Sequence, residues 1–69
     1  MPVYYEACRI VKHFPSGMAI MVDIPDVDSQ PVSIPKSVID RDESDIWDPD
    51  DEGTLAVRTW FAEKEGWPT

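Results

Sequence analysis

Apolar positions along the chain fall into short runs bounded by prolines, glycines and polar turns, which is the pattern of short strands. From Val3 to Phe14, β-branched and aromatic residues are interspersed with polar ones, and Pro15-Ser16-Gly17 follows as a turn signal. Met18-Ala19-Ile20-Met21-Val22-Asp23-Ile24 is almost wholly apolar, as a buried central strand is. Together these two segments predict a β-hairpin. Pro25 to Pro31 is a polar turn bounded by two prolines. Val32-Ser33-Ile34 alternates as a short strand, and Pro35 stops it, because proline has no N–H to give to a ladder. Ser37-Val38-Ile39-Asp40 reads as a strand tail or as one helical turn.

After Gly53, Thr54-Leu55-Ala56-Val57-Arg58 alternates again as a strand. Thr59 is placed to N-cap a helix over Trp60-Phe61-Ala62-Glu63-Lys64-Glu65, with Gly66 as its left-handed stop. Trp67 then follows the glycine, where an apolar residue folds back onto the last helical turn, here onto Phe61 or Ala62. Pro68 prevents continuation. The fold class expected is therefore α+β: a small antiparallel sheet or partly open β-barrel of about four strands, with one short C-terminal helix over one end. There is no internal repeat and no linker, so residues 1–69 read as a single domain.

Size and charge narrow the function. A chain of 69 residues buries only about 60% of its unfolded surface, and ligand cavities of roughly 300–1,000 Å³ are hard to enclose beneath such a core. No catalysis and no cofactor are expected. Cys8 is the one cysteine and His13 the one histidine. On an unbroken strand their odd separation sets them on opposite faces, so no nucleophile–base pair is expected, and Cys8 reads as a small buried hydrophobe. No metal cage can be assembled from them. Pro35-Lys36-Ser37 lacks the glycines of a phosphate-binding loop, and Lys36 reads as a surface charge answering one of the acids. The start of the chain lacks the basic flank and apolar core of a secretory signal, and no apolar run approaches a membrane span. The expected location is the host cytoplasm.

Fourteen carboxylates against six Lys and Arg give a net charge of −8. Direct binding to nucleic acid would then work against phosphate repulsion, and anionic membranes are disfavoured for the same reason. The acidity is local. Asp40, Asp42, Glu43, Asp45, Asp48, Asp50, Asp51 and Glu52 face only Arg41, so eight carboxylates and one guanidinium carry −7 of the total within this run. Asp48, Asp50 and Glu52 take the first, third and fifth places of an EF-hand loop with Gly53 at the sixth, but Thr59 stands where the bidentate glutamate belongs. No calcium site is expected. Extended, the run spaces its carboxylates about 5 Å apart, within a factor of two of single-strand phosphates. It therefore either suits a groove lined with Lys and Arg or serves only to keep a small protein soluble. Ile46-Trp47, an apolar pair inside the acids, is either a lid on the core or the anchor of an interface, and the small core favours the lid.

The second half resembles a group of short bacteriophage and prophage proteins of unknown function. The resemblance rests on Ser33-Ile34-Pro35-Lys36-Ser37, on Asp51-Glu52-Gly53-Thr54-Leu55-Ala56-Val57 after an acidic segment, and on the ending Trp60-Phe61-Ala62-Glu63-Lys64-Glu65-Gly66-Trp67. It covers roughly the last forty residues. The aromatic at Trp67 and the density of acid from Asp40 to Glu52 depart from the group's pattern. The group has no assigned activity, so the likeness implies phage origin and no chemistry.

These readings lead to a non-enzymatic phage-type inhibitor or modulator. Its partner would be a host protein with a basic surface, in a nucleic-acid-handling or defence complex such as a CRISPR effector. Contact would run through Asp42, Glu43, Asp45, Trp47, Asp48, Asp50, Asp51 and Glu52. The alternative is a structural or assembly adaptor, or a self-associating protein such as a homodimer, held by apolar contacts.

Overall fold

The computed structural model describes residues 1–69. Strands β1 (Pro2–His13), β2 (Ala19–Asp23), β3 (Val32–Pro35) and β4 (Glu52–Arg58) are followed by helix α1 (Thr59–Glu65), and a 3-10 turn at Lys36–Val38 follows β3. The strands form one antiparallel sheet in the order β3-β2-β1-β4. This is a small α+β fold with an open sheet. The predicted hairpin is β1–β2, and the apolar run is β2. Ser37 to Asp40 combines both readings: the 3-10 turn ends at Val38, and Ile39 then bridges to Val57 on β4. Strand β4 begins at Glu52, two residues before the expected Thr54, because Glu52 and Gly53 pair with Arg9 and Cys8.

Strand β1 is bulged twice. One bulge lies between Tyr5 and Cys8 against β4, and the other between Ile10 and Lys12 against β2. Each adds one residue and so reverses the side-chain alternation beyond it. Ala7, at the first bulge, holds a left-handed φ of 58°, a conformation alanine rarely adopts. Tyr5, Cys8 and Ile10 consequently all turn into the core. His13 pairs with the buried Ile20 and shares the core face with Cys8. The expectation of opposite faces is thus overturned, because the bulge at Val11 supplies the missing residue of parity. Ile10 lies between the two on that face, and no hydrogen bond joins them: Cys8 Sγ donates to the Tyr5 carbonyl at 3.3 Å.

The core is one cluster containing Ile20, Val22 and Ile24 from the β2 region, Ile34 from β3, Leu55 and Val57 from β4, and Phe61 and Ala62 from α1. Helix α1 ends as the sequence predicts. Gly66 has φ 74°, its N–H reaches the Glu63 carbonyl at 3.1 Å, and the Trp67 N–H reaches that of Ala62 at 2.9 Å. That is a Schellman stop. The Trp67 ring then packs edge-on against Phe61 at 5.4 Å and Tyr5 at 5.9 Å between centroids. The helix start differs. Thr59 is the first helical residue and Arg58 the cap, with no side-chain capping bond. The Thr59 hydroxyl donates instead to the Met1 carbonyl, tying the N-terminus to the β4–α1 junction.

Candidate functional site

The acidic run from Asp40 to Glu52 lies along the outer edge of β4, where it closes the sheet. The Asp40 N–H donates to the Ala56 carbonyl at 2.9 Å, and the Asp45 N–H to the Thr54 carbonyl at 2.9 Å. Between them the Ser44 hydroxyl accepts the Ala56 N–H at 2.9 Å and donates to the Asp40 carbonyl at 2.7 Å. These contacts take the place of a fifth strand, which an exposed edge would otherwise invite from another molecule.

The far end of the run is fixed to β1. Asp48 to Asp51 form a turn closed by the Asp51 N–H on the Asp48 carbonyl at 3.0 Å. Pro49 is in second place and Asp50 in third with φ 72°, the arrangement of a type II turn. The Asp51 carboxylate staples it, its Oδ2 accepting the N–H of Trp47 at 3.1 Å and of Asp48 at 2.9 Å. The Asp50 N–H donates to the Ile10 carbonyl at 2.7 Å, and the Ile10 N–H to the Asp51 carbonyl at 3.0 Å.

The apolar pair divides its roles. Ile46 is 2% exposed and belongs to the core, so it acts as the predicted lid. It passes so close to Gly53 that a Cβ there would stand 3.1 Å from Ile46 Cγ2. Trp47 is half-buried at the rim. Three basic groups surround its ring: the Arg41 guanidinium at 4.0 Å, the Lys36 ammonium at 5.7 Å and the His13 ring edge-on at 5.3 Å. His13 Nε2 is 2.7 Å from the Trp47 carbonyl, which can only accept, so Nε2 carries the proton. Lys36 makes no ion pair, contrary to the expectation that it answers an acid; the indole face takes it instead.

The carboxylates separate by environment. Asp40 and Asp51 are half-buried and serve the loop itself: Asp40 accepts the Glu43 N–H at 3.3 Å and pairs with Arg58 at 3.7 Å. Asp42, Glu43, Asp45, Asp48, Asp50 and Glu52 are exposed. Of these, Glu43 accepts the Tyr4 hydroxyl at 2.9 Å, and that bond to a carboxylate pushes the Tyr4 phenol above its ordinary value. Asp50 lies 3.3 Å from Arg9. The ion pairs of the chain use only Arg9 and Arg58; the loop's own Arg41 lies over Trp47 and pairs with no acid, so Asp42, Glu43, Asp45, Asp48 and Glu52 have no cationic partner.

No group of three or more His, Cys, Asp or Glu side chains converges closely enough to hold a metal ion. Cys8 is sealed, and burial pushes its thiol up to about 11, the opposite of what a nucleophilic cysteine needs. An open depression of about 490 Å³ lies beside β1, lined by residues including Arg9, Asp23, Asp28 and Glu52. Sequence reasoning missed it because the first β1 bulge and the Pro25–Ser29 turn together shape it. No helix is long and apolar enough to cross a membrane. No family model matches the chain, and no curated protein or solved structure shows significant similarity to it.

Proposed function

We propose that the chain is a non-enzymatic, phage-type modulator that binds a basic surface of a host protein through the Asp40–Glu52 loop and acts by occlusion. One observation carries this reading: six exposed carboxylates stand on a loop whose backbone is tied to β4 at one end and to β1 at the other. A free acidic tail would lose its conformational freedom on binding, whereas a loop already held in place does not. The unneutralised acids also raise the rate of encounter with a cationic surface. Surfaces lined with Lys and Arg are built to hold nucleic-acid phosphates, so a nucleic-acid-handling or defence complex is the partner class that suits the loop. The phage attribution comes from the resemblance of the second half alone.

The test reverses Asp42, Glu43 and Asp48 to Lys, leaving Asp40, Asp51 and the Asp50–Arg9 pair intact. Each reversal adds two charges, which moves the net charge from −8 to about −2. Host-lysate capture with both proteins, followed by titration of the captured partner at low and high salt, should show binding lost in the variant and steeply weakened by salt. Binding that survives both the reversals and high salt would overturn the proposal. That outcome would favour the second reading, an adaptor or self-associating protein. Its specific support is Trp60, 58% exposed at the start of α1.

A further inference from the structure

The outward N–H and C=O groups of a sheet's two outer strands form a template for another strand. On β4 that row is already taken by Asp40, Ser44 and Asp45. The other outer strand is β3, and two backbone bonds fix which of its groups face outward. The Phe14 N–H donates to the Ala19 carbonyl at 3.0 Å, and the Lys36 N–H to the Met18 carbonyl at 2.9 Å. Ala19 thus turns its backbone towards β1, and Ile20 and Val22, in the alternate phase, bond to their β3 partners Ile34 and Val32. Positions 31, 33 and 35 are out of that phase and turn their backbone groups away from the sheet. They are Pro31, Ser33 and Pro35, all exposed.

Proline has no N–H, so Ser33 holds the single donor of this outward row. A second copy of the chain meets the consequence twice. In a two-fold antiparallel pair of β3 strands centred on Ser33, the two Ser33 residues exchange both their bonds. On either side of them Pro31 faces the second copy's Pro35, and neither has a donor for the other's carbonyl. Shifting the register by two residues sets Ser33 itself against a proline. A strand from another protein fares little better, because its carbonyls opposite Pro31 and Pro35 are buried without a partner, and each such orphan costs more than a made bond stabilises. We infer that Pro31 and Pro35 guard the β3 edge, so that the sheet accepts no further strand from a second copy or a protein partner. Any partner is then met through side chains alone. This goes beyond the function proposed above and stands without it, since it needs only the register of the sheet.

The experiment compares the whole chain with P31T/P35T by sedimentation equilibrium and amide hydrogen exchange, over a concentration series reaching the millimolar range. In the parent, the Ser33 amide should exchange near the unstructured rate at every concentration while the Ile34 amide, bonded to β2, stays protected. The double variant gives each copy two further donors, and the four added bonds should tighten self-association about a thousandfold. Its Ser33 amide should slow as concentration rises. Protection of Ile34 in the dilute variant shows that β3 still pairs with β2. Should the double variant lose that pairing, P35T alone adds two bonds across the interface and should tighten association about thirtyfold. A Ser33 amide that slows with concentration in the parent would overturn the inference. So would unchanged association in a variant whose Ile34 amide remains protected.

Discussion

Replacing Ile46 by alanine tests whether the acidic run is part of the fold or an appendage. Ile46 is 2% exposed and packs over Gly53 at the β1–β4 junction. The substitution removes three carbons, a transfer loss of about 2.4 kcal/mol at about 0.8 per carbon. The cavity adds to this, and buried Ile→Ala changes cost about 2–5 kcal/mol in all. The loop can collapse partly into the space, so about 3 kcal/mol is expected. A domain of this size holds only about 3–10 kcal/mol of stability, and each kcal/mol moves the midpoint by about 4–8 °C. Thermal unfolding followed by circular dichroism should therefore show Tm lowered by about 12–24 °C. Asp45→Ala, one residue away and exposed, should stay within about 0.5 kcal/mol of the parent. A Tm loss below about 4 °C for I46A would mean that the isoleucine is not packed as described and that the loop is an ornament on the sheet.

Asp51→Ala should cost about 1–2 kcal/mol in urea unfolding, since it leaves the Trp47 and Asp48 N–H groups without their acceptor, whereas Asp48→Ala should be near neutral. Gly53→Ala should destabilise more than Gly66→Ala: both require positive φ, at 154° and 74°, but only at Gly53 does the new Cβ meet Ile46 at 3.1 Å, while nothing lies within 4 Å at Gly66. On the alkaline side, Cys8 has a folded-state value raised from 9.0 to about 11. The neutral thiol is thus favoured by folding, and its contribution is complete below pH 9 and lost as pH rises towards 11. Unfolding at a series of pH values should show that decline, reduced in Cys8→Ala, with thiol reagents reacting in the native protein only through opening.

Much of the fold can be read in the residues because local rules and burial agree there. The apolar run of β2 flanked by turns, the Gly66 stop and the return of Trp67 onto Phe61 each follow from short-range chemistry. Ile46 as lid follows from the cost of leaving an apolar side chain among acids. What escaped the sequence is set by tertiary partners. The two bulges of β1, of which the one at Val11 brings His13 to the face of Cys8, depend on the register against β4 and β2, which no spacing within β1 reveals. Ser44 as a substitute for a fifth strand depends on Ala56, twelve residues away. Thr59 looks like a cap in isolation, but the Met1 carbonyl takes its hydroxyl. The carboxylates of the run look alike in sequence, yet the hydrogen bonds of Asp40 and Asp51 make these two structural and leave the others for a partner.

The proposed function requires the Asp40–Glu52 loop to be held in place before any partner arrives, and native-state amide hydrogen exchange measures this directly. The N–H groups of Asp40, Asp45, Trp47, Asp50 and Asp51 should exchange orders of magnitude more slowly than an unstructured chain, approaching the protection of the amides in the β1–β4 ladder. Exchange of those five amides at unstructured rates, with β1 and β4 still protected, would contradict the account.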